Sequence, residues 1–183
     1  MPLLYDVLEH NRHWIEERNR PLSKAPQKRA VIFTCMDTRL VEFLEPALGL
    51  KRGDAQMIKN AGNTLVDAGG GVVRSLVIAI HALGCGEVFV IGHRDCGMSL
   101  LDEPALRKAM LDSGVPDAAI SALRPSLGEW LGGFHDPIGN VHHVVQSLRD
   151  NPLIPRSVPI HGLMFDPASG ALTSLVDGYP HAG

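Results

Sequence analysis

Residues 31–40, VIFTCMDTRL, are an apolar run that leads directly into three chemically active side chains. The run is β-branched and aromatic at its start and is short enough to form one buried strand. Cys35, Asp37 and Arg39 follow at alternate positions, and alternate residues of an extended segment project to the same side. Unpaired polar groups at the end of a buried strand would cost free energy. The segment therefore predicts a core strand whose end carries a functional site.

Short apolar runs and helical patterns alternate on both sides of this segment. The predicted elements are strands over 30–35, 54–60 and 87–92, helices over 40–50 and 72–84, helical patches over 99–151, and a hairpin over 158–166 and 171–177. Residues 3–19 predict an amphipathic helix, so residues 1–27 form an N-terminal helical arm and loop. This alternation favours a mostly parallel sheet with helices on both faces. We expect one α/β domain over residues 1–183, with strand order 2-1-3-4 and a C-terminal antiparallel edge strand.

The overall composition argues against several classes of partner and location. A chain of 183 residues with 45% hydrophobic and 20% charged residues is typical of one globular domain. The formal charge of −3 points neither to nucleic acid nor to an anionic membrane. No apolar stretch reaches the roughly 18 residues of a membrane span, and the first residues lack the apolar core of a signal peptide. We expect a cytoplasmic protein whose cysteines are thiols or metal ligands.

Three residues have the chemistry and the placement of metal ligands. GHRDCGM, residues 92–98, puts His93 and Cys96 on one turn after the third strand, and Cys35 ends the first strand. These strands are neighbours in the expected order, so their carboxyl ends share a crevice. Two thiolates and one imidazole suit Zn²⁺, and three protein ligands leave a fourth position open, as in catalytic sites. Cys85, at the opposite edge of the sheet, is expected to be a small buried residue.

Asp37 has two possible states beside such a metal. It can be a fourth ligand that excludes water, or it can pair with Arg39 through bidentate hydrogen bonds. In the paired state it would orient a zinc-bound water, whose pKa the metal lowers from about 15.7 towards 7. The residues therefore predict catalytic roles for Asp37 and Arg39, with zinc-bound hydroxide as the nucleophile.

The chain resembles the β-class carbonic anhydrases, and its short length is closest to their compact prokaryotic branch. The resemblance rests on CMDTR (35–39), NAGN (60–63), GHRDCG (92–97) and the C-terminal VPIHGLMFDPASGALTSL. It implies a zinc ion on Cys35, His93 and Cys96. The implied reaction is the reversible hydration of CO₂ to bicarbonate and a proton.

The same resemblance implies roles for further residues. The Asp37–Arg39 pair would be the gate of the metal site, and the amide of Gly97 would bind the anion. Homodimers or tetramers are implied, with the N-terminal helix reaching over the partner. NAGN has two interpretations: a tight turn with Asn63 as the N-cap of a helix, or a pocket wall in which Gly62 contacts substrate or anion.

Other functions stay open on the same residues. Hydrolysis of carbonyl sulfide or carbon disulfide would use the same ligands, and a zinc-binding but inactive scaffold or sensor would keep Asp37 on the metal. A nucleotide-binding module would need no metal, but DAGGGVVRS (67–75) lacks the lysine and hydroxyl residue of a P-loop. The other histidines, including His142 and His143, are expected at the surface or at an interface, and Asp95 is expected to face solvent or a partner chain.

Overall fold

Five strands form one sheet in the order β2-β1-β3-β4-β5. A computed structural model gives this fold and describes residues 3–17, 22–67, 69–131, 134 and 136–179. The strands are β1 (Ala30–Cys35), β2 (Ala55–Asn60), β3 (Glu87–His93), β4 (Ile160–Phe165) and β5 (Leu172–Val176). The first four are parallel and β5 is antiparallel to β4. The single-domain α/β class, the strand order and the antiparallel edge strand are therefore confirmed.

Helices precede and connect these strands, and the helices predicted from residues 3 and 72 begin within one residue of those positions. They are α1 (Leu3–Glu17), α2 (Leu44–Ala47), α3 (Gly71–His81), α4 (Glu103–Asp112), α5 (Asp117–Ser121), α6 (Leu127–Trp130) and α7 (Pro137–Arg149), with 3-10 turns at Thr38–Leu40, Ala61–Asn63 and Gly97–Leu100. The helix predicted over 40–50 is shorter, because Glu42 has a left-handed φ of 56° that interrupts a right-handed helix. Residues 18 and 19 of the predicted first helix lie outside the described residues.

The two faces of the sheet are covered to different extents. Helices α3 and α7 pack on one face, where Phe33 and Val90 are fully buried. Helix α7 packs so close to β3 that a Cβ added at Gly92 would lie 2.6 Å from Cγ2 of Val141. Helix α2 lies on the opposite face. The connection from β1 to β2 runs towards one edge of the sheet, the later parallel connections run towards the other edge, and right-handed crossovers in opposite directions place their helices on opposite faces. Among the described residues, that face is covered by the short α2, by the 3-10 turn before it and by single side chains such as Met98 and Phe134.

The α2 face and helix α1 both leave apolar groups uncovered. An open groove of about 260 Å³ lies on this face and is lined in part by Ile32, Phe89 and Leu163. The apolar side chains of α1 that are exposed by 44–75% are Leu3, Leu4, Tyr5, Val7, Leu8 and Trp14. None of the described helices combines the length and the apolar character that crossing a membrane requires.

Candidate metal centre

Strands β1 and β3 bring the three predicted ligands to one point at the carboxyl end of the sheet. Strand β1 ends at Cys35, and its parallel neighbour β3 ends at His93. The turn after β3 brings back Cys96, and within it Asp95 has a left-handed φ of 53°, which aspartate tolerates better than most residues. The three ligand residues are buried, and one potential ligand atom from each lies within 4.8 Å of the other two. Sequence-distant residues thus form one compact group.

The spacing of these atoms fits a tetrahedral metal ion. The sulfur atoms of Cys35 and Cys96 are 3.9 Å apart, and two Zn–S bonds of about 2.3 Å at a tetrahedral angle require about 3.8 Å. His93 donates from Nδ1 to the carbonyl oxygen of Arg94 at 2.9 Å, which leaves the lone pair on Nε2. That Nε2 atom is buried and has no hydrogen-bond partner. Burying an unpaired nitrogen costs free energy, which a bound cation would recover.

Contacts within the ligand group shift the pKa values of all three residues. The hydrogen bond between the two thiols lowers the pKa of Cys35 and raises the pKa of Cys96. Burial acts to lower the pKa of His93, but the neighbouring Cys35 sulfur and the Arg94 carbonyl raise it overall. A metal ion displaces the remaining thiol proton when it binds, because thiolates are the ligating form.

Asp37 lies beside the ligand group and is paired with Arg39. The guanidinium donates from Nε to Oδ1 at 3.0 Å and from Nη2 to Oδ2 at 2.8 Å. These hydrogen bonds hold the pKa of Asp37 at about 2. Its Oδ2 atom is 3.7 Å from Nε2 of His93, so the carboxylate borders the ligand group without being a member of it. Of the two expected states of Asp37, the structure has the arginine-paired one.

Asp95 is a member of this network that the sequence did not reveal. Its side chain is 80% exposed, as expected, but its Oδ2 accepts a hydrogen bond from Nη1 of Arg39 at 2.8 Å. Its backbone carbonyl accepts from Nη2 of Arg39 at 2.7 Å. Only its position between two predicted ligands could have drawn attention to it.

Gly62 and Gly97 border the ligand group on different sides. The amide of Gly62 donates to the sulfur of Cys35 at 3.3 Å. With a φ of 68°, Gly62 also makes room for Met98, whose Cγ would lie 2.9 Å from an added Cβ. Gly97 follows Cys96 directly and is exposed, with open space where a Cβ would be. The structure thus brings both glycines to the site.

The NAGN segment forms a 3-10 turn, and Asn63 is not a helix cap. Helix α3 begins at Gly71, well beyond the turn, and Asn63 is buried. The interpretation of Asn63 as an N-cap is therefore wrong, because the helix begins only after the glycine-rich segment. Asn140 on α7, which sequence reasoning missed, donates from Nδ2 to the carbonyl of Gly62 at 3.1 Å and supports the turn.

Most residues outside the site lie where the sequence placed them. Cys85 is buried and donates from its sulfur to the carbonyl of Ala30, and His142 and His143 are exposed. His161 is a correction: it is buried, and its Nε2 donates to Oε1 of Glu87 at 3.0 Å. The pairing of β3 with β4 creates this contact between residues far apart in the sequence.

The protein has an α/β fold with a buried cysteine–histidine–cysteine group at the carboxyl end of its parallel strands. This combination is typical of an α/β metalloenzyme. A family model described as carbonic anhydrase matches residues 30–172. The chain is 40% identical to the "putative carbonic anhydrase YvdA" of Bacillus subtilis, over 98% of this chain and 94% of that protein. The chain belongs to the β-carbonic anhydrase family of enzymes.

Solved structures and further relatives give the range of this similarity. The β-carbonic anhydrase isoform I of Trichomonas vaginalis matches with a TM-score of 0.93 and 41% identity, over 98% of this chain and all of that chain. A carbon disulfide hydrolase of Saccharolobus solfataricus is 32% identical over 80% of this chain and 78% of that protein. A tetrameric β-carbonic anhydrase of Sordaria macrospora shares the fold, with a TM-score of 0.66 and 19% identity over 98% of this chain and all of that chain.

Proposed function

We propose that this protein is a zinc enzyme that catalyses the reversible hydration of CO₂ to bicarbonate and a proton. The observation that carries the proposal is the buried group of Cys35, His93 and Cys96, with its unpartnered Nε2 atom. Three protein ligands leave one tetrahedral position for a water molecule, which is the arrangement of catalytic zinc sites. Membership of the β-carbonic anhydrase family supports CO₂ as the substrate.

The chain prepares its three ligands through hydrogen bonds around them. Zinc held by Cys35, His93 and Cys96 would supply a Lewis acid that makes hydroxide available near neutral pH. The amide of Gly62 donates to the Cys35 sulfur, which draws charge away from the thiolate. The carbonyl of Arg94 fixes the ring of His93 with Nε2 towards the two sulfurs.

Asp37 would orient the attacking water, and Arg39 would hold Asp37 in position. A carboxylate with a pKa of about 2 is ionised at neutral pH, so it accepts a hydrogen bond from water and donates none. Both of its oxygens are held by Arg39, which keeps the carboxylate from entering the ligand group. The amide of Gly97, an exposed residue, would bind the anionic product, and Gly62 would keep the adjoining wall free of a side chain.

Hydrolysis of carbon disulfide or carbonyl sulfide is the second candidate function. Relatives named carbon disulfide hydrolase are 29–32% identical to this chain. Apolar side chains also border the ligands, since Met98 and Phe134 both lie within 3.2 Å of the position of a Cβ on Gly62. Such a wall would accept any small linear apolar molecule. An inactive scaffold or sensor is disfavoured, because Asp37 is paired with Arg39 rather than placed in the ligand group.

Metal analysis combined with turnover measurements tests these alternatives. Purified protein should contain about one zinc ion per chain, and stopped-flow assays should show CO₂ hydration far faster than carbon disulfide or carbonyl sulfide hydrolysis. Protein that takes up no zinc on reconstitution would refute the zinc proposal. If either sulfur compound were turned over faster than CO₂, that compound would be the substrate and the CO₂ proposal would be wrong.

We also propose that residues 1–27 are an arm that joins two copies of the chain in a homodimer. The protein would be cytoplasmic, a compartment in which thiols stay reduced. The exposed apolar side chains of α1 and the open groove on the α2 face would cover each other between two copies. A double variant, Leu4→Glu and Leu8→Glu, should shift the mass measured by light scattering towards the monomer. The matched control is Leu111→Glu on α4, which is 40% exposed and should leave the mass unchanged.

A further inference from the structure

We propose that Asp95 is a positioning residue that holds Arg39 against Asp37 and so keeps the Asp37 carboxylate away from the metal. The proposal rests on the proposed metal site and addresses which of the two states of Asp37 predominates. Asp95 would act through Arg39 alone, because its contacts in the site go to the guanidinium and not to the ligand group.

The guanidinium of Arg39 uses separate edges for the two aspartates. The Nε and Nη2 edge donates to both carboxylate oxygens of Asp37, at 3.0 and 2.8 Å. The Nη1 and Nη2 edge donates to Oδ2 and to the backbone carbonyl of Asp95, at 2.8 and 2.7 Å. An arginine has five N–H groups, so the four hydrogen bonds can form together without sharing a hydrogen atom. Asp95 therefore orients the guanidinium without displacing Asp37 from it.

This arrangement links the two segments that carry the metal ligands. Asp37 follows Cys35 by two residues, and Asp95 lies between His93 and Cys96. The left-handed φ of 53° lets Asp95 present its carboxylate and its carbonyl to the same guanidinium. Arg39 thus ties the end of β1 to the turn after β3.

Without this second attachment the Arg39 side chain would move more freely. It is 43% exposed, and long exposed side chains gain conformational entropy when a contact is lost. The Asp37 carboxylate is already 3.7 Å from Nε2 of His93. When Arg39 moves away from Asp37, the carboxylate is therefore able to enter the ligand group. An exposed ion pair has a modest effect, and we expect the ratio of metal-bound to arginine-paired Asp37 to change about two- to fivefold.

Two substitutions separate the carboxylate of Asp95 from its backbone conformation. Asp95→Gly removes the side-chain acceptor, while glycine adopts a positive φ without strain and retains the carbonyl contact. Asp95→Asn keeps an oxygen that can accept from Nη1, and asparagine also tolerates the left-handed region. The control for the loss of one exposed negative charge is Asp112→Asn, whose carboxylate pairs with Lys108 on α4.

The first measurement uses the metal-free protein and needs no catalysis. Solvent exchange of the Arg39 Nε–H is followed by NMR, with the signal assigned by its loss in Arg39→Lys. We expect exchange about two- to fivefold faster in Asp95→Gly, and wild-type exchange in Asp95→Asn and in Asp112→Asn. Unchanged exchange in Asp95→Gly, or failure of Asp95→Asn to restore it, would overturn the proposal.

The second measurement reports the state of Asp37 in the cobalt(II)-substituted protein. Azide must displace Asp37 wherever the carboxylate occupies the metal, so Asp95→Gly should weaken azide binding by up to about fivefold. In an Asp37→Ala background, Asp95→Gly should have no effect on azide binding. An equal effect in both backgrounds would show that Asp95 does not act through Asp37. Failure of the wild type to bind any metal would refute the proposed function, whereas the NMR measurement would still decide whether Asp95 orders Arg39.

Discussion

Two buried histidines lie at opposite ends of the same pair of strands, and they differ in the partners of their ring nitrogens. His93 is 1% exposed at the carboxyl end of β3, and His161 is 6% exposed near the amino end of β4. Each has a carboxylate nearby. His161 donates from Nε2 to Glu87 at 3.0 Å and accepts at Nδ1 from the amide of Gly178 at 3.0 Å. His93 has only one partner, the carbonyl of Arg94, and its Nε2 is unpaired.

The surroundings of His161 are those of a structural residue. Its ring stacks on Phe89 with centroids 4.9 Å apart, and Tyr179 packs edge-on at 4.6 Å. The hydroxyl of Tyr179 donates to the same Glu87 carboxylate, which ties the C-terminal residues to the sheet. Burial and a neighbouring acid are therefore common to both histidines, and the unpaired nitrogen is what distinguishes the candidate metal ligand.

The largest expected effect comes from removing a ligand. Cys35→Ser should abolish stoichiometric zinc binding and lower CO₂ hydration by more than about 100-fold, which exceeds the usual loss from residues that only support a ligand. Elemental analysis and stopped-flow assays measure both quantities. The matched control is Cys85→Ser at the other end of the sheet, which should keep zinc. Full zinc content in Cys35→Ser would remove this cysteine from the ligand group.

A smaller effect is expected when the ligands remain and their neighbour changes. Asp37→Asn should retain one zinc per chain and reduce kcat/KM for CO₂ hydration about 10- to 100-fold, because the amide orients water poorly and pairs weakly with Arg39. Metal analysis of the same preparation shows whether zinc has been kept. Wild-type kcat/KM in this variant would contradict the orienting role of Asp37.

Replacing each histidine by phenylalanine tests the comparison directly in the metal-free protein. His161→Phe leaves the amide of Gly178 without its acceptor and removes one donor to Glu87, which keeps the hydroxyl of Tyr179, so it should lower the free energy of unfolding by about 1–3 kcal/mol. His93→Phe loses a single hydrogen bond and removes an unpaired buried nitrogen, so its loss should be smaller. Urea denaturation measures both variants. The comparison would be broken by a His93→Phe variant that is the less stable of the two.

The smallest effect concerns the pH dependence of stability. Arg39 holds the pKa of Asp37 at about 2, below the ordinary value of 3.8. A lowered pKa stabilises the folded state fully above about pH 4, and this contribution is lost as the pH falls through about 2. Between about pH 4 and pH 2, the free energy of unfolding of the metal-free wild type should therefore fall by about 1 kcal/mol more than that of Asp37→Asn. The difference is this small because solvent screens the exposed Arg39. Urea denaturation at several pH values checks this, and parallel curves would contradict it.

Much of the fold could be predicted from the sequence, because the spacing of apolar residues indicates which segments are strands and which are helices. The strand after residue 30, the strand order and the final hairpin follow from this pattern and from the handedness of crossovers. The shortness of α2 does not follow, because the left-handed conformation of Glu42 leaves no mark in the periodicity. The uneven cover of the two faces likewise depends on how long each connecting helix turns out to be.

The sequence by itself determined the chemistry of the site: two cysteines and one histidine at strand ends, with an aspartate and an arginine at alternate positions. Tertiary structure alone decided which polar groups find partners. Arg39 meets Asp95 across 56 positions, Asn140 meets Gly62 across 78, and His161 meets Glu87 across 74. The physical reason is that hydrogen bonding depends on distances of a few ångströms, which strand pairing and helix packing set and which local residue patterns do not encode.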